Sequence, residues 1–374
     1  MALRAQAQSA LTASARTDIS VYAAPAIWSD TIGQISPADT LQVAGRSVFG
    51  HWLFIQTEAL SGWVAAGSLD IGADADLWAL PVIDADIPPA ALPTLPVDTP
   101  EVRAAYGRLL DAPLLDNMDT SAVRDIFARG QELGNRANVF TRVGDSNTTS
   151  GGFLNPMGLR GGRFCQLGVY SYLQQTLDFF SQPPQRDEAN SFDSFSVAAV
   201  NGLSTASLLD PFWADPAQCR GDESPLACEL RLTRPSVVLI MLGLMDVEYL
   251  RTENSRDFMR QAMDYAIAQG VIPVWTTFPV IADLQSDHPS WEVALYFNNT
   301  ILDVVEEYQT PLINLWAAVQ SLPANGIGPD RIHVAHEVGA FCDFTGAEQR
   351  VGGTLWNLLT LQALDLLRRA VLSG

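Results

Sequence analysis

Three short runs hold residue types that can do chemistry together. Asp330 and His333 stand three apart in Gly328-Pro329-Asp330-Arg331-Ile332-His333, so one short turn can present both side chains to the same point. Ser146 follows Gly144-Asp145 and precedes Asn147. A serine hydroxyl becomes a nucleophile when a base takes its proton and a third group holds that base in the right tautomer. Ser146, His333 and Asp330 offer one residue for each task. The reaction also needs donors aimed at the developing oxyanion. Gly144 and Gly202 are places where backbone can come close to a substrate.

Each of these residues also has a plain structural use. Ser146 could cap a helix, because Ser favours that position. Asp145 reads as the organiser of its turn, and Asp246 as structural. His336, one turn beyond His333, is the rival base. His51 and His288 lie in no motif and read as surface or packing residues. The aromatic-rich runs 164–180 and 192–195 read mostly as core that could wall a cleft.

In a parallel α/β sheet, reactive groups collect beyond the carboxyl ends of the strands. The chain after residue 100 has that texture. Strands are predicted over 138–143, 236–242, 271–277 and 311–315. Helices are predicted over 102–110, 121–133, 256–269, 291–308 and 353–372, the last of them amphipathic. Ser236-Val237-Val238-Leu239-Ile240-Met241-Leu242 is a continuous apolar run, the mark of a strand buried on both faces. The alternation implies a mainly parallel sheet with helices on both faces.

Four runs, in order, match the motif blocks of one family: Gly144-Asp145-Ser146, Asn201-Gly202-Leu203-Ser204, Gly243-Leu244-Met245-Asp246 and Asp330-x-x-His333. Over roughly residues 135–370 the chain resembles the SGNH, or GDSL-type, hydrolases. The resemblance implies a three-layer α/β/α flavodoxin-like fold. It implies Ser146 as nucleophile, His333 as general base, Asp330 as its orienter, and no cofactor. Oxyanion donors would be the backbone N–H groups of Ser146 and Gly202, with Gly243 also on the substrate side. The implied substrates are carboxylic esters, with short acyl chains or as O-acetyl groups on carbohydrate. One residue departs from the family. Met245 stands where an oxyanion-hole Asn is usual, and a thioether cannot donate a hydrogen bond. Asn147 and Asn201, beside motif residues, are candidates to replace it.

Residues 17–72 read as short strands separated by polar turns, as in a small all-β barrel. The runs VYAAP, IGQI, LQVAGR, HWLFIQ and GWV resemble a bacterial SH3-like domain, with Trp52 and Trp63 in its core. The domain plan is an SH3-like barrel over 9–75, a Pro-rich linker over 76–100 and a hydrolase domain over 101–374. The barrel would contact a cell wall or glycan, an analogy at the level of fold.

The 42 acidic residues exceed the 22 basic ones, all of them Arg, for a net charge of −20. That balance argues against nucleic-acid binding and electrostatic attachment to anionic membranes. At 48% apolar and 17% charged residues, the chain is not a disordered one. Its longest apolar run, Val237 to Met245, is too short to span a bilayer. Cys219 and Cys228 bracket a polar segment and read as a disulfide-closed loop, and Cys165 and Cys342 are left to pair. The four His are not spaced for zinc, so no metal is expected. The cysteines favour an extracellular or envelope-associated protein whose targeting segment is absent from this chain. Two other readings stay open. One is a non-catalytic ligand- or glycan-binding protein that keeps the hydrolase fold. The other is an acyltransferase.

Overall fold

The computed structural model describes residues 11–25, 29–47, 50–72, 75–85, 98–182, 184–186, 189–280 and 291–373. His288 and the linker prolines Pro88, Pro89, Pro93 and Pro96 lie outside the described residues. The chain divides into two compact units. The first is Met1–Ala91 with Gln166–Tyr172 and Phe344–Gly346; the second is the remainder. Two loops that the sequence places beyond the linker therefore count with the first unit.

The first unit holds a seven-stranded antiparallel sheet. Its strands are β1 (Leu11–Ala15), β2 (Ile19–Tyr22), β3 (Thr31–Ile35), β4 (Thr40–Arg46), β5 (Trp52–Gln56), β6 (Ser61–Ala65) and β7 (Leu69–Ile71). They lie in the order β3-β2-β6-β5-β4-β1-β7. Successive side chains of a strand point to opposite faces. On β4, Leu41 and Val43 are accordingly buried while Gln42 is exposed. Leu53, Ile55, Trp63 and Val64 are buried with them, as are Val21, Ile35 and Leu69. Trp52 departs from expectation: it is half-buried, with its ring meeting Tyr22 edge to face at 5.4 Å.

The second unit is built on a five-stranded sheet in the order β8-β12-β11-β10-β9. The strands are β8 (Leu115–Asp116), β9 (Arg136–Gly144), β10 (Pro235–Met241), β11 (Ile272–Thr276) and β12 (Leu312–Ile313). β9 to β12 run parallel, and β8 pairs antiparallel with β12. Every residue of β10 is buried, as its apolar run requires. β12 is shorter than the predicted 311–315. Beyond β9 the sheet gains one more rung: Gly144 bridges Ala199 in parallel, with Val200 N–H donating to Gly144 O at 3.0 Å. The chain thus steps outward from β9 to residues 198–200, then crosses back to β10. That reversal is where open α/β sheets place their ligand crevice.

Helices start where the sequence caps them. Thr99 accepts from Val102 N–H ahead of the helix Pro100–Asp111, and Thr120 does the same for Val123 ahead of Ser121–Glu132. Thr252–Ala268 packs against Trp291–Tyr308, which also meets Pro100–Asp111. Gly352–Leu367 packs against Gln174–Phe180 and β12, and Ser121–Glu132 against β9 and β11. The connection from β9 runs outward to residues 198–200, and those from there through β10 and β11 to β12 run the other way, so as right-handed crossovers they lie on opposite faces of the sheet. The last helix is not amphipathic. It is buried around most of its circumference, and its one acidic residue, Asp365, is ion-paired to Arg368 at 2.9 Å and Arg369 at 2.8 Å.

Candidate active site

Ser146 lies in the turn that follows β9. Asp145 shapes that turn, its carboxylate accepting the backbone N–H of Asn147 at 2.9 Å. The carboxyl is buried, and burial pushes its pKa up to about 6, opposed by the Asn147 hydrogen bonds and the nearby charge of His333. Gly144, just before it, has no room for a side chain: a Cβ there would lie 2.0 Å from Thr148 Oγ1.

The second loop, 328–334, comes far later in the chain and meets this turn. His333 Nε2 is 2.7 Å from Ser146 Oγ, and His333 Nδ1 is 2.7 Å from Asp330 Oδ2. Asp330 Oδ1 also accepts the backbone N–H groups of Ile332 at 3.1 Å and His333 at 3.0 Å. Partial burial of the Asp330 carboxyl works against ionisation. The bonds from the His333 ring and from the two backbone groups outweigh it, and its pKa lies below the usual carboxylate range. With Nδ1–H donated to that carboxylate, Nε2 is the end left to accept from the Ser146 hydroxyl. His336 is not placed to compete. Both its ring nitrogens are buried without a hydrogen-bond partner among the described residues. Burial, then the charge of His333, lowers its pKa.

The third loop follows residues 198–200. Gly202 has φ +80°, a conformation that favours Gly, and a Cβ there would meet nothing within 4 Å. The backbone N–H groups of Ser146 and Gly202 donate to no described residue. Unpaired N–H groups of this kind can receive a developing negative charge on oxygen. Asp246, buried, accepts from Thr205 N–H at 3.1 Å and Ser255 Oγ at 2.9 Å, so it ties the start of the helix after Gly202 to the segment after β10. Burial raises its pKa against those hydrogen bonds.

Two residues expected on the substrate side also have structural tasks. Gly243 is buried with φ +135°, and a Cβ there would sit 2.1 Å from the Phe278 ring, so close packing is what demands Gly. Asn147 is buried, and its carbonyl oxygen accepts Val334 N–H at 2.8 Å. Its side chain also hydrogen-bonds Asp145, so it braces the turn. Asn201 is exposed, and its Oδ1 accepts from Thr149 Oγ1 at 2.7 Å. Sequence reasoning passed over Thr149, because a Thr three residues beyond Ser146 has no motif of its own.

Both cysteine pairs are bonded, Cys165 to Cys342 and Cys219 to Cys228. Among the described residues, no helix is long and apolar enough to cross a membrane, and no group of His, Cys, Asp or Glu could hold a metal.

No family model matches the chain, and no curated protein matches it. Several solved structures are similar. One is the psychrotrophic esterase EstA from Pseudoalteromonas sp., at 12% identity over 61% of this chain and 97% of that one, with TM-score 0.35. Another is a putative GDSL-like lipase from Parabacteroides merdae, at 17% over 61% and 95%, with TM-score 0.39. A third is Axe2, an acetylxylan esterase from Geobacillus stearothermophilus, at 15% over 60% and 93%, with TM-score 0.35. At these identities and scores the likeness carries no weight for the site, which stands on its own geometry.

Proposed function

We propose that this chain is a serine hydrolase of the SGNH, or GDSL, type that cleaves carboxylic esters through an acyl-enzyme on Ser146. The observation that carries the reading is the continuous line Ser146 Oγ, His333 Nε2, His333 Nδ1, Asp330 Oδ2, with 2.7 Å at each of its two hydrogen bonds. Residues 187 positions apart meet there at hydrogen-bond distance. Ser146 Oγ attacks the ester carbonyl as its proton passes to His333 Nε2. Asp330 holds the imidazolium that forms. The free N–H groups of Ser146 and Gly202 receive the oxyanion. His333 returns the proton to the leaving alkoxide, and the alcohol departs. Water, deprotonated by His333, then attacks the acyl-enzyme, releasing the acid and restoring Ser146. No step calls for a cofactor.

The test is hydrolysis of p-nitrophenyl esters from acetate to dodecanoate, with Ser146→Ala in parallel. Turnover that vanishes in the variant supports the nucleophile, and the chain-length profile measures the acyl pocket. A folded wild-type chain with no turnover overturns the reading. Met245 would then favour a binding protein that keeps the fold.

The substrates are short acyl esters or carbohydrate O-acetyl esters. The seven-stranded unit is an SH3-like barrel that contacts a glycan. The protein works outside the cytoplasm, where two disulfides persist. Retention of the full chain on insoluble peptidoglycan or glycan checks the second of these, and its absence withdraws it.

A further inference from the structure

Met245 carries no hydrogen-bond donor, and a carboxamide, that of Asn201, lies beside the turn that carries Ser146. We propose that Asn201 is the third oxyanion donor and that Thr149 is the positioning residue that aims it. This deepens the esterase reading above and rests on it.

Thr149 Oγ1 sits between two loops. It lies 3.1 Å from the carbonyl oxygen of Ser146 and 2.7 Å from Asn201 Oδ1. The hydroxyl is the hydrogen-bond donor at Asn201, so the oxygen end of that carboxamide is fixed toward the nucleophile turn. The amide NH2 is then the free end. It has no hydrogen-bond partner among the described residues, and neither has the backbone N–H of the adjoining Gly202. The single hydroxyl proton goes to the shorter contact, Asn201 Oδ1, so the 3.1 Å approach to the Ser146 carbonyl places Thr149 beside that residue without a second bond. Two unpaired donors on consecutive residues, one of them oriented from the Ser146 turn, form the cluster an oxyanion requires. A carboxamide on an exposed loop would otherwise sample several rotamers, and fixing one of them beforehand is what makes a donor effective. Asn147, the other candidate, is excluded by its buried position and its bonds to Val334 and Asp145.

The proposal makes Thr149 and Asn201 one device, and that distinguishes it from two independent structural residues. The experiment uses the full chain and p-nitrophenyl acetate. It compares wild type, Ser146→Ala, Thr149→Val, Thr149→Ser, Asn201→Ala and the double variant Thr149→Val/Asn201→Ala. Thr149 is exposed, so Val changes the hydroxyl and little else. Asn201→Ala is expected to lower kcat by about 10²-fold, the usual loss for one oxyanion donor, with KM nearly unchanged. Thr149→Val is expected to lose a large part of that, and Thr149→Ser to recover it. The double variant is expected to be no slower than Asn201→Ala, because the two act through one another. Unchanged kcat in Asn201→Ala overturns the proposal. So does full additivity in the double variant, or failure of Ser to rescue. The outcome that sinks the underlying reading is different: a wild-type chain without Ser146-dependent turnover.

Discussion

Asn147 accepts the backbone N–H of Val334 at 2.8 Å, and so ties the turn that carries Ser146 to the loop that carries His333. Beside the bond between Ser146 and His333, the residue that follows each is joined to the other's segment. Val334 is buried, so losing the acceptor leaves an unpaired N–H. Asn147→Ala should lower stability by about 1–3 kcal/mol. It should also lower kcat/KM by about 10-fold or more, since misplacement near 1 Å can cost 10²-fold. Thermal unfolding and steady-state kinetics read the two effects. A lower Tm with unchanged kcat/KM would show that the bond holds the loop without aligning the base.

Asp330 should matter less than its partners. Its side chain is 53% exposed, so water can supply part of what it gives His333. Asp330→Asn is expected to reduce kcat by about 10²-fold, below the roughly 10⁴-fold seen when a buried triad carboxylate is changed. Ser146→Ala and His333→Ala should each lose more than Asp330→Asn does. Equal losses in all three would mean that the exposed carboxylate is as indispensable as a buried one.

Asp145 makes stability depend on pH. Its pKa rises from 3.8 to about 6 on folding, so the folded chain holds that proton more tightly than the unfolded one. The stabilising contribution is present below the unfolded value and is lost as pH rises through about 6. Above that the native protein carries a buried charge, which Asn would not. The Tm difference of Asp145→Asn from wild type should therefore become more favourable at about pH 8 than at about pH 4. A difference that does not vary with pH would show that folding leaves the carboxyl's affinity for protons unaltered.

The two disulfides should contribute unequally. Cys165–Cys342 closes a sequence separation of 177 residues, Cys219–Cys228 one of 9. Restriction of the unfolded chain gives about 5 kcal/mol for the first and about 3 kcal/mol for the second. Double Ser replacement of each pair, followed by denaturant unfolding, measures both. A larger loss at Cys219–Cys228 would place the effect in the folded state instead.

Some of this is legible in the sequence. The run at 236–242 points to a buried strand because it is short, rich in the β-branched Val237, Val238 and Ile240, and bounded by Pro235 and Gly243. Asp330 and His333 are readable because their geometry is local: one turn holds both. What could not be read is what depends on distant pairing. β8 is two residues long and exists only because Leu312 and Ile313 offer it an edge. The tie from Asn147 to Val334 crosses 187 residues, and nothing at either position announces the other. Asn147 therefore reads in the sequence as a spare donor although its side chain braces the turn, and nothing near Gly243 announces the Phe278 ring that requires a Gly there. The last helix misled for a related reason. Its apolar residues surround it, and its one Asp is neutralised by two Arg in its own next turn.

The half-exposed His333 also bears on which acceptor would complete the reaction. Its side chain is 41% exposed, and that of Asp330 is 53%. A side chain so open to bulk solvent is reached by water directly. Water at bulk concentration would reach an acyl group on Ser146 more readily than a dilute alcohol could. Transfer to a sugar hydroxyl would need a bound sugar to displace that water, so the openness of this one imidazole tilts the chemistry toward release of a free acid.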